Sequence, residues 1–278
     1  MRLFVGAICS YVSGLCPAAK LIQFALESQI AVTIRVGIFA LNLFNVPINK
    51  DTYLDIISSL RGKAGLVAVS KTKPVEDILA LYAEGQRDFG ENYVQELVEK
   101  QPQLPPDIHW HFIGHLQSNK VKYIISFVHL IQGVDSLRLL KEINKQAART
   151  GRVVDVLLQV FIATEETKFG LDATELAALL ETVSSAPDEW ANVRIRGLMG
   201  MASFSDNPAI ITAEFRLLKQ LFDKHFPSPG ATPLPNASSS SPGAPAILSM
   251  GMSSDFQLAV TEGSTMVRIG SLLFGKRG

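Results

Sequence analysis

Val153-Val-Asp-Val-Leu-Leu-Gln-Val-Phe161 is an apolar run broken only by Asp155 and Gln159. It is too short for an ordinary helix and too apolar for a strand with one wet face. A β-branched run of this kind predicts a strand buried on both sides, as in a parallel sheet. Upstream, Leu137–Arg149 has helical periodicity, with Gly151 as its stop. Downstream, Leu176, Leu179, Leu180 and Val183 recur at helical spacing within Thr174–Ser185. Helix, buried strand, helix is the repeating unit of a parallel α/β fold.

The same alternation continues in both directions. Towards the N-terminus it predicts strands at Gly65–Ser70, Arg87–Glu91, His109–Ile113 and Leu130–Asp135. Helices are expected at 51–62, Val75–Glu84, Tyr93–Lys100 and Asn119–Phe127. In the first, Asp51 is the expected cap and Leu54, Ile57 and Leu60 the expected apolar face. Towards the C-terminus, strands are expected at Val193–Met199, Ala246–Met250 and Met266–Leu273, with helices at Ala209–His225 and Phe256–Thr261. Eight strands alternating with helices in about 210 residues predict an α/β fold of the (β/α)8 TIM-barrel type. Periodicity alone leaves an open doubly wound sheet as the other arrangement.

Composition agrees with one large domain. The chain has 278 residues, 47% of them hydrophobic, enough to bury a core of barrel size. Lys and Arg balance Asp and Glu at 26 each, so no net field draws nucleic acid as a partner. The cysteines, Cys9 and Cys16, lie near the N-terminus and cannot staple the body of the fold, which points to a reducing, intracellular setting.

Two segments depart from the alternation. Residues 1–48 carry only Arg2, Lys20, Glu27 and Arg35 as charges and form an atypical N-terminal extension. No stretch in it has about 18 uninterrupted apolar residues, so stable membrane insertion is not expected. A leader or organelle presequence remains open, and with it a mitochondrial rather than cytoplasmic location. Residues 227–245, rich in Pro, Ser, Gly and Ala, are expected to be a flexible insertion in the 49–278 barrel.

Barrel chemistry sits at the C-terminal ends of strands. The first strand leads into Lys71, where partial desolvation would disfavour the ammonium and free a nucleophilic amine; a solvated surface lysine is the plainer alternative. Lys73, ahead of a proline, is placed outside the mouth. The second strand leads to Asn92, which could donate into the mouth or simply cap the next helix. The turns after strands seven and eight bring Ser253, Gly270 and Ser271, suited to a phosphate or to ordinary turn chemistry. Arg268 lies within an otherwise apolar strand and needs a partner, either a carboxylate or a ring nitrogen. His109, His111 and His115 are the best metal candidates, but no carboxylate or further histidine completes a ligand set, so no metal is expected.

Ala68-Val-Ser-Lys-Thr-Lys-Pro74, Phe89-Gly-Glu-Asn-Tyr-Val-Gln-Glu96, Trp110-His-Phe-Ile-Gly-His-Leu-Gln-Ser-Asn-Lys120, Arg196-Gly-Leu-Met199, Ser249-Met-Gly-Met-Ser253 and Gly263-Ser-Thr-Met-Val-Arg-Ile-Gly270 stand in that order. Together they resemble the pyridoxal phosphate homeostasis proteins over residues 51–277. The resemblance implies a barrel like the N-terminal domain of alanine racemase, with pyridoxal 5′-phosphate (PLP) held as a Schiff base on Lys71. It also implies Ser253, Gly270 and Ser271 around the phosphate, Arg268 facing the pyridine nitrogen, and Asn92 near the phenolic oxygen. Phe161 departs from the family, which usually has Asn there.

The implied role is intracellular PLP homeostasis: a monomer that buffers the cofactor or delivers it to apo PLP-dependent enzymes, without turnover of its own. Weak amino-acid racemization is the alternative, and a metal-dependent hydrolase built on the histidines is a third.

Overall fold

Eight parallel strands pair in sequence order and close when the eighth joins the first. They are β1 (Gly65–Val69), β2 (Asp88–Glu91), β3 (His109–Phe112), β4 (Leu130–Val134), β5 (Val154–Gln159), β6 (Val193–Met199), β7 (Ile247–Ser249) and β8 (Met266–Ile269). The computed structural model describes residues 48–163, 169–227 and 246–275, all within the unit Pro47–Gly278. The sheet is therefore a closed (β/α)8 barrel and not an open one. The N-terminal extension and the 227–245 insertion fall, apart from Ile48 and Pro227, outside the described residues, as does most of the loop before Gly170.

The helices are α1 (Lys50–Leu60), α2 (Val75–Ala83), α3 (Val94–Lys100), α4 (Val121–Ile124), α5 (Leu137–Arg149), α6 (Ala173–Ser185), α7 (Pro208–His225), α8 (Phe256–Thr261) and α9 (Ser271–Phe274). In α1 the cap is Asn49, whose side chain accepts from Thr52 N, rather than Asp51. Its buried face is Tyr53, Ile56 and Leu60, while Leu54 and Ile57 are exposed. The spacing was right and the phase was off by one residue, because Tyr53 supplies apolar area behind a polar tip. The helix expected over 119–127 shortens to a 3-10 turn, Ser118–Lys120, followed by α4. The expected last strand stops at Ile269 and gives way to α9; period two and period 3.6 are hard to separate in so short an apolar run.

Alternation along the strands sorts residues into two layers. Trp110, Phe112, Ile131, Val154, Val156 and Leu158 pack outward against the helices in the main core. Leu130, Leu157 and Met199 form a separate cluster inside the barrel, joined by Met201, Ile247 and Met266. Inward positions also carry the polar residues His111, Gln132, Ser249 and Arg268, all buried. Among the described residues, no helix is long and apolar enough to cross a membrane.

Candidate functional site

Lys71 extends the inward parity of β1, two residues beyond Val69, and is half-buried. The neighbouring backbone is clamped from the outward side. Ser70 N donates to Gly90 O (3.0 Å), and Ser70 Oγ donates to Glu91 Oε1 (2.7 Å). The Lys100 ammonium donates to Ser70 O (2.9 Å), Glu91 Oε1 (2.8 Å) and Glu96 Oε1 (2.6 Å). Glu96 Oε1 also accepts from Thr72 N (2.6 Å). Thr72 adopts φ 63°, the left-handed region that a β-branched residue rarely enters. Glu91 is fully buried; burial pushes its carboxyl above the usual range, although Lys100 and the Ser70 hydroxyl oppose the shift.

Asn92 continues the inward parity of β2. It caps no helix: Tyr93 is the N-cap of α3. Its Oδ1 is buried and has no hydrogen-bond partner among the described residues. A buried polar atom left in this way is costly without a ligand.

Arg268 points inward from β8. Its Nη1 donates to Ser249 Oγ (2.5 Å) and its Nη2 to Gly200 O (3.0 Å). Burial lowers its pKa to about 10, against the raising charge of Asp255, so it stays cationic at neutral pH. The partners of Nη1 and Nη2 are a hydroxyl and a carbonyl, with the Asp255 carboxylate acting through its charge.

The turn after β7 is held tight. Met252 N donates to Asp255 Oδ1 (2.5 Å), and Gly251 sits at φ 96°. Gly270 N donates to Ser253 Oγ (3.3 Å), which ties the turn after β7 to the turn after β8. Gly270 uses its missing side chain against β1, since a Cβ there would lie 3.1 Å from Val69 O.

Lys71, Asn92, Ser253, Arg268, Gly270 and Ser271 all line one cavity of about 350 Å3 at the C-terminal end of the barrel. Lys73 lines it too, contrary to its expected place outside, and its ammonium donates to Phe274 O (2.7 Å). Met252, from the motif after β7, joins Met201 and Phe204, which lie outside the quoted motifs, as apolar wall. The cavity thus joins an amine, a buried guanidinium and two hydroxyls with apolar walls, a combination that fits a flat, anionic ring ligand.

The histidines lie elsewhere. His109 Nδ1 and His111 Nε2 share Asp88 Oδ1 at 3.3 and 2.9 Å near the opposite end of the barrel. His115 pairs with Asp135 (3.1 Å) and stacks on Phe169. Among the described residues, no group of three or more His, Cys, Asp or Glu is arranged to hold a metal ion.

The alanine racemase N-terminal domain family matches residues 51–278. A pyridoxal phosphate homeostasis protein of Aquifex aeolicus is 41% identical over 215 residues, covering 77% of this chain and 87% of its own. This chain belongs to that family. The human pyridoxal phosphate homeostasis protein is 40% identical over 225 residues, 76% of either chain. The solved structure of PipY from Synechococcus elongatus with PLP bound superposes with a TM-score of 0.68 at 35% identity. That match covers 81% of this chain and 99% of PipY. The membership accounts for the order of the motifs, and the barrel geometry for their convergence on one end.

Proposed function

We propose that this protein binds PLP on Lys71 and serves PLP homeostasis by holding and releasing the cofactor. The observation that carries this reading is the convergence of all six motif residues, from four strand ends, on the cavity. PLP supplies, when bound, an aldehyde that bonds reversibly to amines and a ring that withdraws electrons from the bonded group. Lys71 is the amine that would hold it. Ser253 and Ser271, with the backbone of the turn at Gly270, would accommodate the phosphate. Asn92, whose buried Oδ1 is unmatched, would take a polar group at the ring edge. Arg268 offers only donors, so it suits an unprotonated ring nitrogen and keeps electron withdrawal weak.

Holding without turnover is the reading we favour: among the described residues lining the cavity there is no His, Tyr, Cys, Asp or Glu to act as the second acid or base. A racemase needs a second proton-handling group opposite the lysine. Among the described residues lining the cavity, the ionisable groups besides Lys71 are Lys73 and Arg268. The natural recipients are apo PLP-dependent enzymes, and release would follow when an incoming amine displaces Lys71.

The test is a spectrum of the purified protein with PLP, before and after borohydride, with the reduced adduct mapped by peptide mass. The adduct is expected on Lys71, and amino acids should show no exchange of the α-proton with solvent. An adduct scattered over surface lysines would overturn the site, and rapid α-proton exchange would favour racemization.

A further inference from the structure

A single file of hydrogen bonds crosses the barrel interior from Arg268 to the opposite face. Arg268 Nη1 donates to Ser249 Oγ (2.5 Å), and Ser249 Oγ donates to Gln132 Oε1 (2.7 Å). Gln132 Nε2 lies 3.0 Å from His111 Nδ1, and His111 Nε2 lies 2.9 Å from Asp88 Oδ1. The file passes through β8, β7, β4, β3 and β2. Arg268, Ser249, Gln132 and His111 are each at most 4% exposed, while the Asp88 side chain is 40% exposed at the far end.

The directions of the links follow from the guanidinium at one end and from the orientation of the Gln132 amide in the middle. A guanidinium has donors only, so Ser249 Oγ must accept from it. The serine proton is then free for Gln132 Oε1, which turns the amide NH2 towards His111 and Met266 Sδ. His111 Nδ1 must therefore be an unprotonated acceptor, with its proton on Nε2 facing the Asp88 carboxylate.

We propose that His111 acts, through Gln132 and Ser249, as a positioning residue for Arg268, and that protonating His111 weakens the hydrogen bond between Ser249 and Arg268. A second proton on Nδ1 would face the Gln132 NH2, donor against donor. The amide must then turn over, so that Ser249 Oγ accepts from Gln132 as well as from Arg268 and its own proton loses its acceptor. A hydroxyl that no longer donates along the file is a poorer acceptor for the guanidinium, while Arg268 keeps its bond to Gly200 O. Charged and titratable groups around His111 are Asp88 from β2, His109 from β3 and His129 ahead of β4, which stacks on His109 at 4.4 Å. Beyond them, Asp155 of β5 is held by Arg194 and Arg196 of β6.

The proposal rests on the cofactor reading only for its consequence, and the test separates the two. In the full-length protein without PLP, 15N spectra should show the neutral form of His111 carrying its proton on Nε2. The resolved Nη signals of Arg268 should broaden as His111 gains its second proton. A neutral form with its proton on Nδ1, or Arg268 signals unchanged as His111 gains that proton, would overturn the relay. With PLP, Gln132→Leu should raise the dissociation constant about ten-fold at neutral pH. Unchanged PLP affinity in Gln132→Leu would also overturn it. If the wild-type protein takes up no PLP at any pH, the cofactor reading fails, and the 15N titration still decides the relay.

Discussion

The Lys100 ammonium lies 2.9 Å from the carbonyl oxygen of Ser70, the residue immediately before Lys71. A helix behind the sheet therefore sets the backbone from which the site lysine projects. Lys100 also neutralises the buried Glu91. Replacing it by Met would leave that carboxylate without its cation, at a cost of about 3–5 kcal/mol. The carboxyl is already raised by burial, and losing Lys100 raises it further. The folded state then binds more protons than the unfolded state, so the variant's stability should fall as pH rises. Urea titrations of Lys100→Met at pH 5.5 and 8 would show this; equal loss at both would contradict it.

Lys71→Ala should abolish the bound-cofactor absorbance while leaving the fold intact. The side chain is only half-buried, so the stability change should stay within about 0.5 kcal/mol. Absorbance after PLP addition and gel filtration, together with a thermal melt, checks both halves.

Thr72→Gly should relieve the left-handed strain at φ 63°. The strain is worth about 1–2 kcal/mol and the entropic penalty of glycine somewhat less. A net gain of up to about 1 kcal/mol is expected in denaturant unfolding. PLP binding should weaken, because the lysine's neighbour becomes freer.

Gly251→Ala should be among the most harmful single-carbon additions near the cavity. Its φ of 96° disfavours any side chain, and the new Cβ would lie 2.5 Å from Ala259 Cβ and 3.0 Å from Phe256 Cα. A loss of at least about 2 kcal/mol follows. The turn carrying Ser253 must shift, so PLP affinity should fall along with the melting temperature.

The His129 pKa is pushed down to about 4 by burial of its ring, with the charges of His111 and His109 adding to the effect. The residue as a whole is exposed, so solvent screens these effects and the midpoint should fall between 4 and the ordinary value. A depressed imidazole contributes stability that is present above its unfolded pKa of about 6.5 and is lost as pH falls from there towards the folded value. The exposure keeps that loss small. Histidine NMR across pH 3–7 would locate the midpoint, and His129→Phe should flatten that part of the stability curve.

Much of this was legible in the residues. Buried strands such as Val154–Gln159 and helices such as α6 declare themselves by period and length, and Lys71, Asn92, Ser253 and Arg268 stood at strand ends where barrels put chemistry. What was not legible depends on partners distant in sequence. Lys73 lines the cavity while its ammonium donates to Phe274 O, about two hundred residues away, which no local pattern announces. Glu91 and Lys100 look like ordinary helix-flank charges until the outward parity of β2 buries them together. Gln132 was a signal passed over: a polar residue on the inward side of an apolar strand, waiting for Ser249 and His111. α1 buries Tyr53 and Ile56 with Leu60 because the tyrosine ring counts as apolar area despite its polar tip.

β1 and β8 are hydrogen-bonded neighbours, although they are the first and last strands of the barrel. Lys71 follows one and Arg268 lies in the other. During synthesis from N- to C-terminus, the lysine leaves the ribosome roughly two hundred residues before the arginine that faces the same cavity. A nascent or prematurely terminated chain thus carries the amine without its pocket and should take no vitamin from the pool; only a barrel sealed by its final strand can compete for it.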